Sequence, residues 1–190
     1  MAQRILFPIA VVVLTILVGI FLTHDAPEEE LPAEPEEVER ADYFLAEFAI
    51  HHHDEQGKMR SILRGKQGEH FPVSQTIQID QPHWQAESTD GSIWFANSPF
   101  GSFKRDTQVI ILHEDVDIRR QADEQRPPLD IVTRELFINI DNHQAMTEER
   151  VVATDPWGSA EGIGMTLDYY RDRLQLHNQA KGRYETKQGE

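Results

Sequence analysis

Residues 76–97, TIQIDQPHWQAESTDGSIWFAN, decide the fold. Ile77 and Ile79 alternate with polar neighbours, as do Trp84, Ala86 and Ser88, and then Ile93 and Phe95 after Asp90-Gly91. Alternation with a period of two puts one set of side chains on one face of a strand, and an Asp-Gly pair suits a tight hairpin turn. The stretch therefore predicts short antiparallel strands, each with one face buried.

The same pattern extends in both directions. Upstream are Phe48 and Ile50, then Met59, Ser61 and Leu63, then Val73 ahead of Ile77, with Gln75 interrupting. Downstream come Val109 to Leu112, Val116 and Ile118, Leu129 and Ile131, the run Leu136, Ile138, Ile140, then Met165 and Leu167, and finally Leu174 and Leu176. Glu55-Gln56-Gly57 and Asp141-Asn142 read as further tight turns, while Pro127-Pro128 and Asp155-Pro156 read as looser connections. Gly162-x-Gly164 lies inside an alternating run, where glycine signals a bulge or a close backbone approach. No window of helical period stands out beyond residue 41. About ten strands of four to seven residues predict an all-β antiparallel sandwich, jellyroll or folded-over sheet, and their likeness favours stacked hairpins over a Greek key.

Ahead of this domain the chain changes character. Ile5 to Leu22 is free of charge and as a helix would span about 27 Å, enough for a bilayer's hydrocarbon core. The run continues into Phe21 and Leu22 without the small residues of a cleavage site, so it reads as one uncleaved transmembrane helix rather than a removed signal. Arg4 lies before it and the next basic residue is Arg40, which puts the amino terminus in the cytoplasm. From Asp25 to Glu39 the chain carries eight acids and three prolines, the composition of an extended, self-repelling tether. The expected organisation is a cytoplasmic end (1–4), a transmembrane helix (5–22), an acidic tether (23–40) and a β domain outside the membrane (41–190).

The net charge is −15: the stretch from Asp25 through Arg40 carries −7, the domain −9, and Arg4 before the apolar run +1. An acidic domain without a basic face argues against nucleic acid. The chain has no cysteine, which excludes disulfides, thiolate metal sites and thiol nucleophiles. Elbow serines, phosphate loops, dinucleotide fingerprints and HExxH helices are absent. His51-His52-His53-Asp54 is the most metal-like string, but on a strand only His51 and His53 share a face and no third ligand is adjacent. His113-Glu114-Asp115-x-Asp117 lacks the spacing and glycine of a calcium loop. No catalytic residue, metal or cofactor is expected, although an anchored hydrolase built on the histidine string stays open as an alternative.

The order of features resembles the LptC family of the lipopolysaccharide export system. The resemblance runs through Tyr43-Phe44 leading into Phe48, Asp54-x-x-Gly57, His70-Phe71-Pro72 and Gln81-Pro82-x-Trp84-x-Ala86. It continues through Asp115-Val116-x-Ile118, Thr133-x-x-Leu136-x-Ile138, Ala145-x-Thr147, Gly162-x-Gly164-Met165 and Leu174-x-Leu176. It implies a folded-over β-jellyroll of the OstA/LptA type, anchored in the inner membrane and periplasmic. It also implies a partner set: lipopolysaccharide, the LptB-LptF-LptG transporter that supplies it, and LptA that takes it on. Moving an acyl chain of about 12 carbons through water costs on the order of 10 kcal/mol, so such a bridge needs a continuous apolar track. The resemblance makes the inward residues Phe48, Ile50, Ile77, Ile79, Leu136, Ile138, Ile140, Met165, Leu174, Leu176 and Tyr184 the expected groove, though alternation alone does not separate groove from solid core. It assigns partner contacts to His51 and His53 on the first strand, and to Gly162, Leu174 and Tyr184 near the carboxy terminus. Arg60, Arg64, Lys104, Arg171 and Arg173 are the bases available to face lipid phosphates. An adaptor that docks partners by strand addition around a solid core is the competing expectation.

Overall fold

The computed structural model describes residues 39–124 and 126–184. The expected anchor and all but the last two residues of the tether lie outside the described residues. Among those described, thirteen strands form one antiparallel sheet and there is no helix.

β1 (Tyr43–His53) runs the length of β2 (Met59–Phe71), and β2 then divides its other edge between two partners. Residues 67–71 pair with β3 (Thr76–Asp80), while residues 61–64 pair with β4 (His83–Glu87). From this fork two layers grow. One holds β3, β6 (Phe100–Lys104), β7 (Val109–His113) and β10 (Leu136–Asn139). The other holds β4, β5 (Ile93–Asn97), β8 (Val116–Arg120) and β9 (Leu129–Thr133). β11 (Gln144–Asp155) gathers both layers again, pairing with β10 and β9, and β12 (Gly158–Asp168) and β13 (Arg173–Tyr184) extend that end.

The register explains this topology. Arg64 pairs with His83 and Gln67 with Asp80, so two residues lie between the two pairs on each strand and the ladder turns the corner without slipping. β3 and β4 are thus two halves of one long strand, bent at Gln81-Pro82. The chain is a meander of long strands, each folded in the middle, which is the stacked-hairpin arrangement that the alternation favours. At or near the corners of these strands, Glu47, Gln81, Glu114 and Gln179 adopt positive φ. Hairpin turns therefore collect at the free ends of both layers, opposite the corners.

Burial follows the alternation. Ile77, Ile79, Trp84, Ala86, Ile110, Leu112, Val116, Ile118, Ile131, Leu136, Ile138, Met165 and Leu167 are all buried between the layers. Each large buried side chain of this kind contributes about 1.5–3 kcal/mol relative to exposure. Shapes interlock across β4 and β5, where Trp84 stands opposite Ala96 and Trp94 opposite Ala86.

Four local expectations are corrected. On β5 the inward residues are Trp94 and Ala96, not Ile93 and Phe95; all four are apolar, so alternation could not choose the face. Val73 is not a strand residue but an exposed turn residue, and Gln75 lies in the same turn with φ 51. The alternation of Met59, Ser61 and Leu63 against Ile62 breaks down, because Met59 is exposed and Ile62 is buried along with both its neighbours, Ser61 and Leu63. Asp155-Pro156 is a tight turn, because Asp155 pairs directly with Gly158 and its carboxylate accepts the amides of Trp157 (2.9 Å) and Gly158 (2.8 Å). The turns at Gly57, Asp90-Gly91 and Asp141-Asn142 stand where expected. At Gly162-x-Gly164 the chain bulges, with φ 75 at Gly164 and a register shift against β13 between Glu161 and Ile163.

Candidate functional site

The expected groove residues divide by position along the fold. Ile77, Ile79, Leu136, Ile138, Ile140 and Met165 belong to the closed middle of the interior, each 5% exposed or less. Phe48 and Ile50 at one end, and Leu174 and Leu176 at the other, are half-buried and pack on that core. Tyr184 joins neither group. It is 69% exposed at the end of β13, opposite Gly158.

Each end finishes in a strand with one free edge. β1 has no partner beyond β2, and β13 none beyond β12, among the described residues. Unpaired backbone N–H and C=O groups on such strands are sites for strand addition. At the β1 end, the Phe48 ring lies over Gly65 and Gly68. His51 and His53 share an exposed face, their rings 6.3 Å apart, and His51 Nδ1 lies 3.3 Å from the sulfur of Met59. No group of three metal-ligating side chains occurs among the described residues. Gly162, an expected partner contact at the other end, is buried; a Cβ there would come within 3.2 Å of the Asn178 carbonyl oxygen.

The polar centre of the molecule lies elsewhere, on a set of residues whose convergence no sequence motif marked. The β12–β13 turn, residues 169–172, crosses from the end of the first layer to the turns that end the second. Thr89 donates both its amide (3.0 Å) and its hydroxyl (3.1 Å) to the Tyr170 carbonyl. Asp172 accepts from Arg120 (2.7 Å) and from Arg126, and Arg126 also pairs with Asp90 and Asp123. Burial works against the Arg126 charge, but Asp90 and Asp172 outweigh it and raise its pKa. Tyr169 packs edge-on against Trp84 and donates to the Ile140 carbonyl; burial pushes its phenol pKa upward. Arg60 stacks over Tyr170 and is held by Asp54 at 2.7 Å. Of the bases expected to face phosphate, Arg60 is therefore engaged at this bridge, and Arg171 pairs with Asp168 beside it. Pairings that join residues up to 81 apart leave no local pattern to read.

A family model for lipopolysaccharide-assembly, LptC-related proteins matches residues 8–185. The chain belongs to this LptC-related family. Its membership gives it a role in the lipopolysaccharide transport bridge, and the family is one of lipid transport rather than of enzymes. Among solved structures, the fold is similar to that of LptH from Pseudomonas aeruginosa, described as the LptA-homologous periplasmic component of the lipopolysaccharide transport device. The match covers 66% of this chain and 95% of LptH, with a TM-score of 0.54 at 6% identity. At that identity the likeness concerns the fold. Curated protein sequences yield no match. The LptC-related domain thus carries the LptA-like fold, an all-β antiparallel sheet, that the sequence resemblance implies.

Proposed function

We propose that this LptC-related protein is the inner-membrane-anchored segment of the periplasmic bridge. It takes lipopolysaccharide from the LptB-LptF-LptG transporter and hands it to LptA. The observation that carries this reading is the apolar interior running between two free edge strands, β1 and β13. Strand addition at each edge would make that interior continuous with its neighbours', β1 toward the transporter and β13 toward LptA. Acyl chains would travel inside while the phosphorylated head group stays in solvent, which suits a domain of net negative charge. The chain does no chemistry in this reading, and ATP hydrolysis by the transporter supplies the work.

Photo-crosslinking residues at Ile138 and Leu176 of the anchored protein, combined with the transporter and ATP, test it directly. Adducts with lipopolysaccharide at both positions are expected. The complete burial of Ile138 favours a second reading, a structural adaptor with a solid core. Crosslinks to partners at both edges, with no lipid adduct at either interior position, would establish the adaptor instead.

A further inference from the structure

If acyl chains occupy the interior and the head group stays outside, their junction passes between the free ends of the two layers. There the β12–β13 turn now stands, so this inference rests on the lipid-carrying reading. Asp172 is 8% exposed, and Arg120, its partner, 12%. Beneath them Trp84 and Trp94 are 1% exposed, the Arg120 guanidinium lying 5.8 Å from the Trp94 ring. Six buried side-chain polar atoms lack a hydrogen-bond partner among the described residues, and five of them gather here: Trp84 Nε1, Trp94 Nε1, Arg120 Nε, Arg126 Nε and Asp172 Oδ1. Buried unpaired polar atoms are few in native proteins, so this concentration calls for an explanation. Four of the five are N–H donors. The place is short of acceptors.

We infer that the β12–β13 turn is a removable clasp over a lipid-binding mouth: when it lifts, ester or amide oxygens of the acyl chains accept from Trp84 and Trp94, and an anionic oxygen replaces Asp172 on Arg120. Arg126 keeps Asp90 and Asp123, so Arg120 is the cation that most depends on Asp172. Exchanging a carboxylate for a ligand anion preserves the charge balance, which makes Asp172 an internal stand-in for the ligand. The ligand class is an anionic amphiphile with carbonyl oxygens at the base of its chains. Inorganic phosphate shares the anion and lacks the chains.

The native chain has no cysteine, so a disulfide can lock the clasp cleanly. Thr89 and Tyr170 adjoin through a 3.0 Å backbone hydrogen bond, which makes this pair the place to introduce one. The test uses the full-length Thr89→Cys/Tyr170→Cys protein in lipid nanodiscs, with ¹⁵N-labelled indoles and purified lipopolysaccharide as the probe. Reduced protein, which lacks the Thr89 hydroxyl bond and the Arg60–Tyr170 stacking that help hold the turn down, should bind at least as tightly as the wild type, with the Trp84 and Trp94 indole resonances shifting and that of exposed Trp157 unmoved. Oxidised protein should bind at least tenfold more weakly. Asp172→Asn, which tolerates the positive φ at this position, should bind at least threefold more tightly than wild type. The clasp is overturned by oxidised protein binding within twofold of reduced, by bound lipid leaving both indole resonances in place, or by inorganic phosphate alone producing the same shifts. Wild type and reduced protein both failing to bind lipopolysaccharide would instead remove the lipid-carrying reading, and the clasp with it.

Discussion

Phe48 of β1 lies directly across Gly65 of β2: a Cβ on that glycine would sit 2.7 Å from two carbons of the ring and 2.5 Å from Cγ2 of Ile79. Gly65 leaves a space in the strand that the aromatic ring fills, beside the edge that β1 leaves unpaired among the described residues. Gly65→Ala is therefore an overpacking mutation and should cost roughly 1–3 kcal/mol, read as a lower urea midpoint with an unchanged slope. Adding Phe48→Leu should recover part of the loss. An additive or larger loss in the double variant would show that the two residues do not compete for this space.

At the opposite end, Gly158 plays a comparable part against the backbone. A Cβ there would come within 2.1 Å of the Arg183 carbonyl oxygen and 3.0 Å of the Tyr184 Cα, so Gly158→Ala must push β13 away from β12. The core lies elsewhere, and the domain should stay folded. Amide hydrogen exchange should rise in the last residues of β13 alone, and binding to a partner that adds a strand to that edge should weaken. Protection of β13 equal to wild type would mean that the strand relaxes without separating.

What the amino-acid pattern revealed, and what it hid, follows from the range of each signal. Alternation is local, and Ile77, Ile79, Leu136, Ile138 and Met165 stand inward as the pattern requires. On Ile93-Trp94-Phe95-Ala96 every residue is apolar, and only packing chooses which pair goes inside. The corners were hidden because left-handed positions at Glu47, Gln81, Glu114 and Gln179 are filled by ordinary side chains rather than glycine. The clasp was hidden for another reason. Asp172 meets Arg120 and Arg126 across 52 and 46 residues, and nothing near any of the three distinguishes it from the other charges of an acidic chain.

The β4–β5 turn that faces the clasp also ties stability to pH. A hydrogen bond from Ser88 holds the Asp90 carboxyl below its ordinary 3.8, with burial opposing and the Ser92 amide and Arg126 assisting. A carboxyl more acidic in the folded state than in the unfolded one contributes stability above about pH 4. The contribution is lost as pH falls further, because the unfolded chain then binds more protons. Urea midpoints of the wild type should therefore be level from pH 7 to 5 and drop by pH 3. Asp90→Asn should start lower and show a shallower drop. Parallel curves for the two proteins would mean that other carboxylates govern the acid limb.

The interior and its ends should respond differently to charge. Ile138 is fully buried in the middle of the core, where an added guanidinium would have no partner. Ile138→Arg should thus cost more than about 4 kcal/mol and prevent stable folding. Leu176 is only half-buried on β13, and an arginine there can turn its head group to solvent while its stem covers the same apolar surface. Leu176→Arg should fold with a loss of roughly 1–2 kcal/mol, the transfer energy of a partly buried leucine. If acyl chains leave the domain past this end, the folded Leu176→Arg protein should still crosslink lipopolysaccharide at Ile138 but pass little of it to LptA. Undiminished transfer by that variant, with its fold confirmed by circular dichroism, would place the exit away from Leu176 and favour release through the mouth between the layers.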